Sequence, residues 1–309
     1  VIYQHTGLTT GGLIVPGYLA LFMREPSHIV VTLGLAGITF VFVHQVLRRR
    51  YMLWGRKLFE SEVFTTLALQ LLWFAALMPF THKLDNNTQL LYGIGFLLPS
   101  LIAHDMGKQG IKRTLFVCIS CALVVFAIIS GLQGLGLEAR HTIPTQSLMN
   151  YTYNPQHLFW AICISVVVSA LLYRSSVLGQ LRSGGFISAA YITLFLNRPF
   201  DIAFIMLVTL LSYIVVKAIG HHLLIFGRST VASLLIASLM VSWTLEMLLY
   251  NHFGILPWQG ASIIAALIAA LLANDTIKQG LGRTSLGLGI SSITVITVMN
   301  VLDMATRGR

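Results

Sequence analysis

Charge is scarce in this 309-residue chain: Asp, Glu, Lys and Arg make up 10% of it, against roughly 25% in an ordinary soluble domain. With 56% hydrophobic residues and a mean hydropathy of +0.81, a soluble globule is excluded. Strand-like alternation of apolar and polar residues is missing as well, which leaves helices rather than a barrel to cross a membrane. Cysteine is limited to Cys118, Cys121 and Cys163, each inside an apolar run. That excludes a disulfide framework and a loop zinc site, and the C-x-x-C of Cys118 and Cys121 reads as a pair of buried thiols. Signatures of energy-driven or hydrolytic chemistry are missing too. There is no G-x-x-x-x-G-K-[ST] loop, GLGRTS at 280–285 lacks its spacing, and neither G-x-S-x-G nor H-E-x-x-H occurs. His221 and His222 have no neighbouring cysteine or carboxylate to complete a metal site, so no metal is assigned.

What is present is a series of apolar runs. Those at 28–47, 61–80, 114–135, 157–173, 200–219, 230–250 and 285–302 have the length and composition of spans. Four more, at 7–23, 90–104, 184–197 and 258–273, are short or interrupted by Gly and Pro, as broken or re-entrant helices are. Charge placement arbitrates. If all eleven cross, the stretches 48–57, 105–113, 174–183, 217–229 and 274–284 fall on one side with fourteen of the twenty Lys and Arg. The positive-inside rule makes that side cytoplasmic. The excess of 20 basic over 10 acidic residues is therefore loop charge, and nucleic acid is not a predicted partner. The run RRRYMLWGRK at 48–57 mixes cations with Tyr51 and Trp54, as an interfacial segment does.

HDMGKQGIKRT at 104–114 returns as NDTIKQGLGRT at 274–284, with six identities in eleven positions. Other landmarks recur in order: Gly11, Gly12, Tyr18, Leu21, Phe22 and Pro26 match Gly184, Gly185, Tyr191, Leu194, Phe195 and Pro199, while Gly55 and Arg56 match Gly227 and Arg228. Similarity between greasy runs does not preserve polar residues, so the chain reads as an internal duplication. The first repeat covers 1–135, an extracytoplasmic connection covers 136–156, and the second repeat covers 157–309. Because a span at 157–173 precedes the second Gly-Gly segment, the first repeat reads as short by one helix. The complete protein would then have twelve segments in two parallel repeats.

Thr6-Gly7, GGLIVPGYLALF, a Pro-started helix, LWGRKLF and LPSLIA followed by KQG form an ordered set. In that order they resemble the PgsC/CapC family, the small membrane subunit of poly-γ-glutamate synthase, over most of residues 6–135 and more weakly over 157–302. The second copy departs from the pattern. GGFISAAYITLF lacks Val-Pro-Gly, and LLIFGRS lacks the Arg-Lys pair, which points to a more structural role. The resemblance implies a multi-pass protein of a bacterial or archaeal cytoplasmic membrane, within a complex that makes and exports anionic poly-glutamate. It also implies a separate Mur-ligase-like ATP-dependent ligase, other synthase subunits, and ATP with a divalent metal on the ligase rather than on this chain.

Within that frame the repeated stretches offer Asp105, Lys108, Gln109 and Arg113, and Asp275, Lys278, Gln279 and Arg283, as a rim for docking the ligase or guiding carboxylates. If the helices continue to the glycines, Asp, Lys and Gln share a face at i, i+3 and i+4. The alternative is a charged helix end that fixes topology, stopped by Gly110 and Gly280. Arg56 and Arg228 recur and join the candidate set. Gly11, Gly12, Pro16 and Gly17, with Tyr18, Gly184, Gly185 and Tyr191, either open a helix to line a passage or allow close packing. Glu246 reads as the one acid well inside an apolar run, four residues before an interfacial Tyr250. An autonomous secondary transporter of a small anionic solute is the competing function; parallel repeats favour it and the scarcity of mid-membrane charge opposes it.

Overall fold

The computed structural model describes residues 14–23, 26–77, 97–134, 155–174, 181–196, 198–222, 228–255, 257 and 262–307. Among them regular structure is helical, without a strand. The chain divides into two compact units, Val1–Arg140 and His141–Arg309, a division that falls inside the stretch 136–156.

The first unit holds α1 (Ile14–Leu21), α2 (Pro26–Val41), α3 (Gly55–Leu77), α4 (Leu98–Gln109) and α5 (Ile111–Gly134). Beyond Val41, α2 continues as a π-helical segment, Phe42–Leu47, and a last α-helical turn, Arg48–Tyr51. Met52, with φ of 45°, then turns the chain into α3. The basic run is therefore half helix end and half turn, and the Arg48 guanidinium lies 4.7 Å over the Trp54 ring. Pro16 and Gly17 do not form a turn or open a helix: both lie within α1, where proline in the first turn costs no hydrogen bond. Leu98, Ile102 and Met106 lie four residues apart along α4, and this stripe packs with Val15 and Leu19 of α1, Ala36 of α2, and Cys118 and Ala122 of α5.

The second unit holds α6 (Pro155–Arg174), α7 (Gly185–Leu194), α8 (Pro199–His222), α9 (Arg228–Phe253), α10 (Ser262–Gln279) and α11 (Leu281–Arg307). Its interior is built around α10, where Ala265, Ala266, Ala269, Ala270 and Ala273 are buried and let neighbouring backbones approach closely. The neighbours match between units. In the first, α4 packs on α2, α3, α5 and α1, while α1 packs on α5; in the second, α10 packs on α8, α9, α11 and α7, while α7 packs on α11. Helix α6 adds contacts to α7 and α11.

Among the described residues five helices are long and apolar enough to span, over Ile29–Tyr51, Ile111–Gly131, Pro199–Gly220, Thr230–Phe253 and Leu281–Met304, and no more than 33% of each apolar window is buried within the protein. That much exposed apolar surface requires a hydrocarbon solvent, so the chain is an all-α integral membrane protein. The remaining segments read from the sequence are shorter or more polar. Helices α1 and α7 have 8 and 10 residues, about 12 and 15 Å at 1.5 Å per residue, half of a core roughly 30 Å thick. Helix α3 has 23 residues, but Arg56, Lys57, Glu60 and Glu62 occupy its first turns.

The elbow glycines generate a stability test. Gly110 has φ 89° and ψ 154°, a region open essentially to glycine alone, and Gly280 has φ 85°. Gly282, two residues on, sits inside α11 with open space around it. Gly110→Ala and Gly280→Ala should each destabilise the protein by roughly 1 to 3 kcal/mol. Gly282→Ala should instead stabilise it by roughly 0.5 to 1 kcal/mol through helix propensity. Thermal unfolding in detergent micelles reads both; equal midpoints for Gly280→Ala and Gly282→Ala would contradict the elbow geometry.

Candidate functional site

The repeated stretch folds the same way twice. In each copy a helix runs as far as the glutamine, a single glycine follows, and a new helix begins at the next residue. The Gly110 N–H bonds the Met106 carbonyl at 2.9 Å, and the Gly280 N–H bonds the Thr276 carbonyl at 2.9 Å. The Thr114 hydroxyl donates to the Gly110 carbonyl at 2.9 Å and accepts from Gln109 Nε2 at 3.1 Å. Thr284, Gly280 and Gln279 repeat both distances. Asp-x-x-Lys-Gln-Gly-x-x-Arg-Thr is thus a helix–glycine–helix elbow whose side chains satisfy the break.

In the second unit the elbow also grips a distant segment. Gln279 Nε2 donates to the Arg182 carbonyl at 2.6 Å, and Gln279 Oε1 accepts from the Arg182 N–H at 3.0 Å. This is a two-bond clamp on one peptide unit's neighbours. Asp275 Oδ2 accepts from the Gly184 N–H at 3.1 Å, at the N-terminus of α7, where an anion also complements the positive end of the helix dipole. Its Oδ1 lies 3.9 Å from the Arg182 guanidinium. Gly184 sits at φ 79°, and a side chain there would strike Leu272 of α10. Gly287 of α11 faces the Arg182 carbonyl from the other side, so closely that a Cβ would sit 2.5 Å from it. Tyr191 is fully buried in α7 and stacks with Phe195, as Tyr18 pairs with Phe22 in α1. Gly184, Gly185 and Tyr191 are thereby placed in packing. Gly11 and Gly12, their counterparts, lie outside the described residues.

The candidate rim consequently divides into two layers. Asp105 and Asp275 are buried, Gln109 and Gln279 are half-buried, and Lys108, Arg113, Lys278 and Arg283 are exposed. Arg56 is engaged with the buried carboxylate of Glu60, one turn on in α3, at 2.9 Å. Arg228 opens α9.

Reading apolar runs missed a second constellation, confined to the first unit. Glu62 of α3 has a fully buried side chain, and His104 of α4 donates from Nδ1 to its Oε2 at 2.7 Å. His44, in the π-helical segment, places Nδ1 3.8 Å from Glu62 Oε1. Glu246, also buried in α9, is therefore not the one acid inside an apolar run. Gly107 of α4 makes room for the His44 ring, since any side chain there would run into it. A sequence signal existed in the spacing of the repeats: Pro26 and Pro199 are 173 positions apart, whereas Gly55 and Gly227 are 172 apart. One extra residue lies between Pro26 and Gly55. A π-turn is the way a helix absorbs one insertion, and α2 has one where α8 is α-helical throughout.

Two helical units that each bear an elbow with exposed cations define a polytopic membrane protein. The sequence profile of the family "Capsule biosynthesis CapC" matches residues 1–115 and 164–285, and the chain belongs to that family. A capsule biosynthesis protein CapC of Bacillus anthracis is 33% identical over 132 residues, which are 42% of this chain and 85% of that relative. A PGA biosynthesis protein CapC of Bacillus subtilis (strain 168) is 31% identical over 128 residues, 41% of this chain and 83% of the relative. No solved structure matches.

Removing the clamp is the direct test of the elbow. Gln279→Ala deletes three side-chain hydrogen bonds and leaves both polar groups of Arg182 without that partner. The loss should be roughly 2 to 4 kcal/mol, read as denaturant unfolding in mixed micelles. Gln279→Glu, which keeps an acceptor and loses the donor, should fall between wild type and alanine.

Proposed function

We infer that this chain is the membrane subunit of a complex that synthesises poly-γ-glutamate for a capsule. The membership in the CapC family carries this reading, and the membrane-exposed apolar helices agree with it. Autonomous transport is not favoured by either. About two-fifths of the chain covers more than four-fifths of a CapC relative, and the two units share their helix neighbours. A tandem of two CapC-like units, with the basic faces in the cytoplasm of a bacterial or archaeal cell, fits both observations.

In this arrangement the ligase is a partner. It carries ATP and a divalent metal, activates a carboxyl group, and passes the growing polyanion to the membrane. The exposed layer of the elbows docks it or steers the polymer: Lys108, Arg113, Lys278 and Arg283 present cations on an element fixed by the buried layer, and such an arrangement suits carboxylates. Asp105, Asp275, Gln109 and Gln279 support that layer. The long-range attraction of such charges also raises encounter rates in a salt-dependent manner.

Membranes carrying the protein with its native neighbours should incorporate labelled glutamate into polymer in an ATP-dependent way, and deleting this chain should abolish it. Replacing all four cations with glutamine should lower incorporation at least roughly tenfold, equivalent to about 1.4 kcal/mol of lost docking energy, with insertion and unfolding unchanged. Incorporation at the wild-type rate would remove the elbows from function and leave them as architecture alone.

A further inference from the structure

Three helices of the first unit each deliver one titratable side chain to a single buried point: His44 from α2, Glu62 from α3 and His104 from α4. Keeping a carboxylate inside membrane helices is expensive unless it is paired, and polar groups kept there are usually functional. The fold itself does not demand the cluster. At the matching places in the second unit stand Leu234, fully buried, for Glu62 and Asn274 for His104, and His44 maps to Val216 or Lys217 according to which side of the one-residue offset is used. Val216 and Leu234 join Ala270 and Ala273 in an apolar core. One frame thus closes over oil in one unit and over an imidazole–carboxylate–imidazole set in the other.

We propose that His44, Glu62 and His104 form a proton-binding site, one without a counterpart at the matching positions of the second unit. His104 holds one carboxylate oxygen. The other, Glu62 Oε1, is buried without a hydrogen-bond partner and faces His44 Nδ1 at 3.8 Å. A proton arriving on His44 turns that gap into a charge-assisted hydrogen bond, which closes by about 1 Å to the usual 2.7–2.9 Å. The π-helical segment that carries His44 is the part of α2 able to give, because its hydrogen bonds are already out of α-helical register. His104, whose side chain is 22% exposed, connects the site to the surface: a proton taken up at its Nε2 lets the Nδ1 proton pass to Glu62 Oε2, and the neutral ring that remains keeps its proton on Nε2. The charged groups facing the cluster are Arg48 from the end of α2, and Asp105 and Lys108 from α4.

The test uses the full-length protein in liposomes and is independent of polymer synthesis. Infrared difference spectra between pH 9 and pH 5 should show a protonation-linked carboxyl or imidazole signal in wild type that disappears in Glu62→Gln. A double variant, Glu62→Leu with His104→Asn, gives the first unit the residues of the second and should fold if the glutamine variant does not. By indicator-dye titration over the same range it should take up roughly one proton per chain fewer than wild type. Identical spectra and equal proton uptake in wild type and a folded variant would overturn the proposal. Should the site be confirmed while glutamate incorporation proves independent of this chain, the synthase reading fails and the proton site stands.

Discussion

A helix that breaks beside a membrane leaves backbone groups with no water to accept them, and every other feature of the elbow follows from that constraint. Glycine supplies the only backbone geometry that ends one helix and starts another without an intervening loop. The threonine four residues later closes the glycine carbonyl, through Thr114 in one unit and Thr284 in the other. Glutamine then pins the threonine from the helix before the break. Three residue types at fixed spacing satisfy the junction locally, which allows α10 to stay almost wholly buried and α4 to present its apolar stripe to three neighbours.

With the frame satisfied locally, the interior is free to differ. In the second unit, Gln279 and Asp275 extend the elbow's reach to the 182–184 segment and so fix where α7 begins. Alanine lines α10, and Leu234 fills the place corresponding to Glu62. In the first unit the same neighbourhood carries ionisable groups, admitted by one inserted residue in α2 and one missing side chain at Gly107. Buried polar groups do not improve a core over well-packed hydrophobic ones. The imidazole–carboxylate–imidazole set has no counterpart at the matching positions of the second unit, where Val216 or Lys217, Leu234 and Asn274 stand.

The elbow was legible because hydrogen-bonding side chains at fixed spacing leave letters behind: Asp, Gln, Gly and Thr recur in both copies. The short segments were legible as interruptions: α1, α4 and α7 have 8, 12 and 10 residues, whereas α10, over the fourth, runs for 18. Pro16 and Gly17 left two readings open, because a proline in the first turn of a helix looks, in sequence, like one that interrupts it. Glu62 escaped because its run is overwhelmingly apolar and it stands near the beginning, beside charges that belong to a helix end. His44 and His104 lie 60 positions apart in the chain, and composition gives no reason to join them. Only helix packing brings α2, α3 and α4 to one point.

Repeated polar identity looked at first like the imprint of a partner, yet its most faithfully repeated letters are absorbed by the protein itself. Asp275 and Gln279 spend their hydrogen bonds on Gly184, Arg182 and Thr284, and an unrelated residue at either position would unseat α7. The cations are different. Lys108, Arg113, Lys278 and Arg283 lie in the exposed layer. Positive charge returns at the same two spacings in both copies. The cytoplasmic bias of basic residues accounts for charge on that side of the membrane, but not for its return at the same two positions of a rigid elbow.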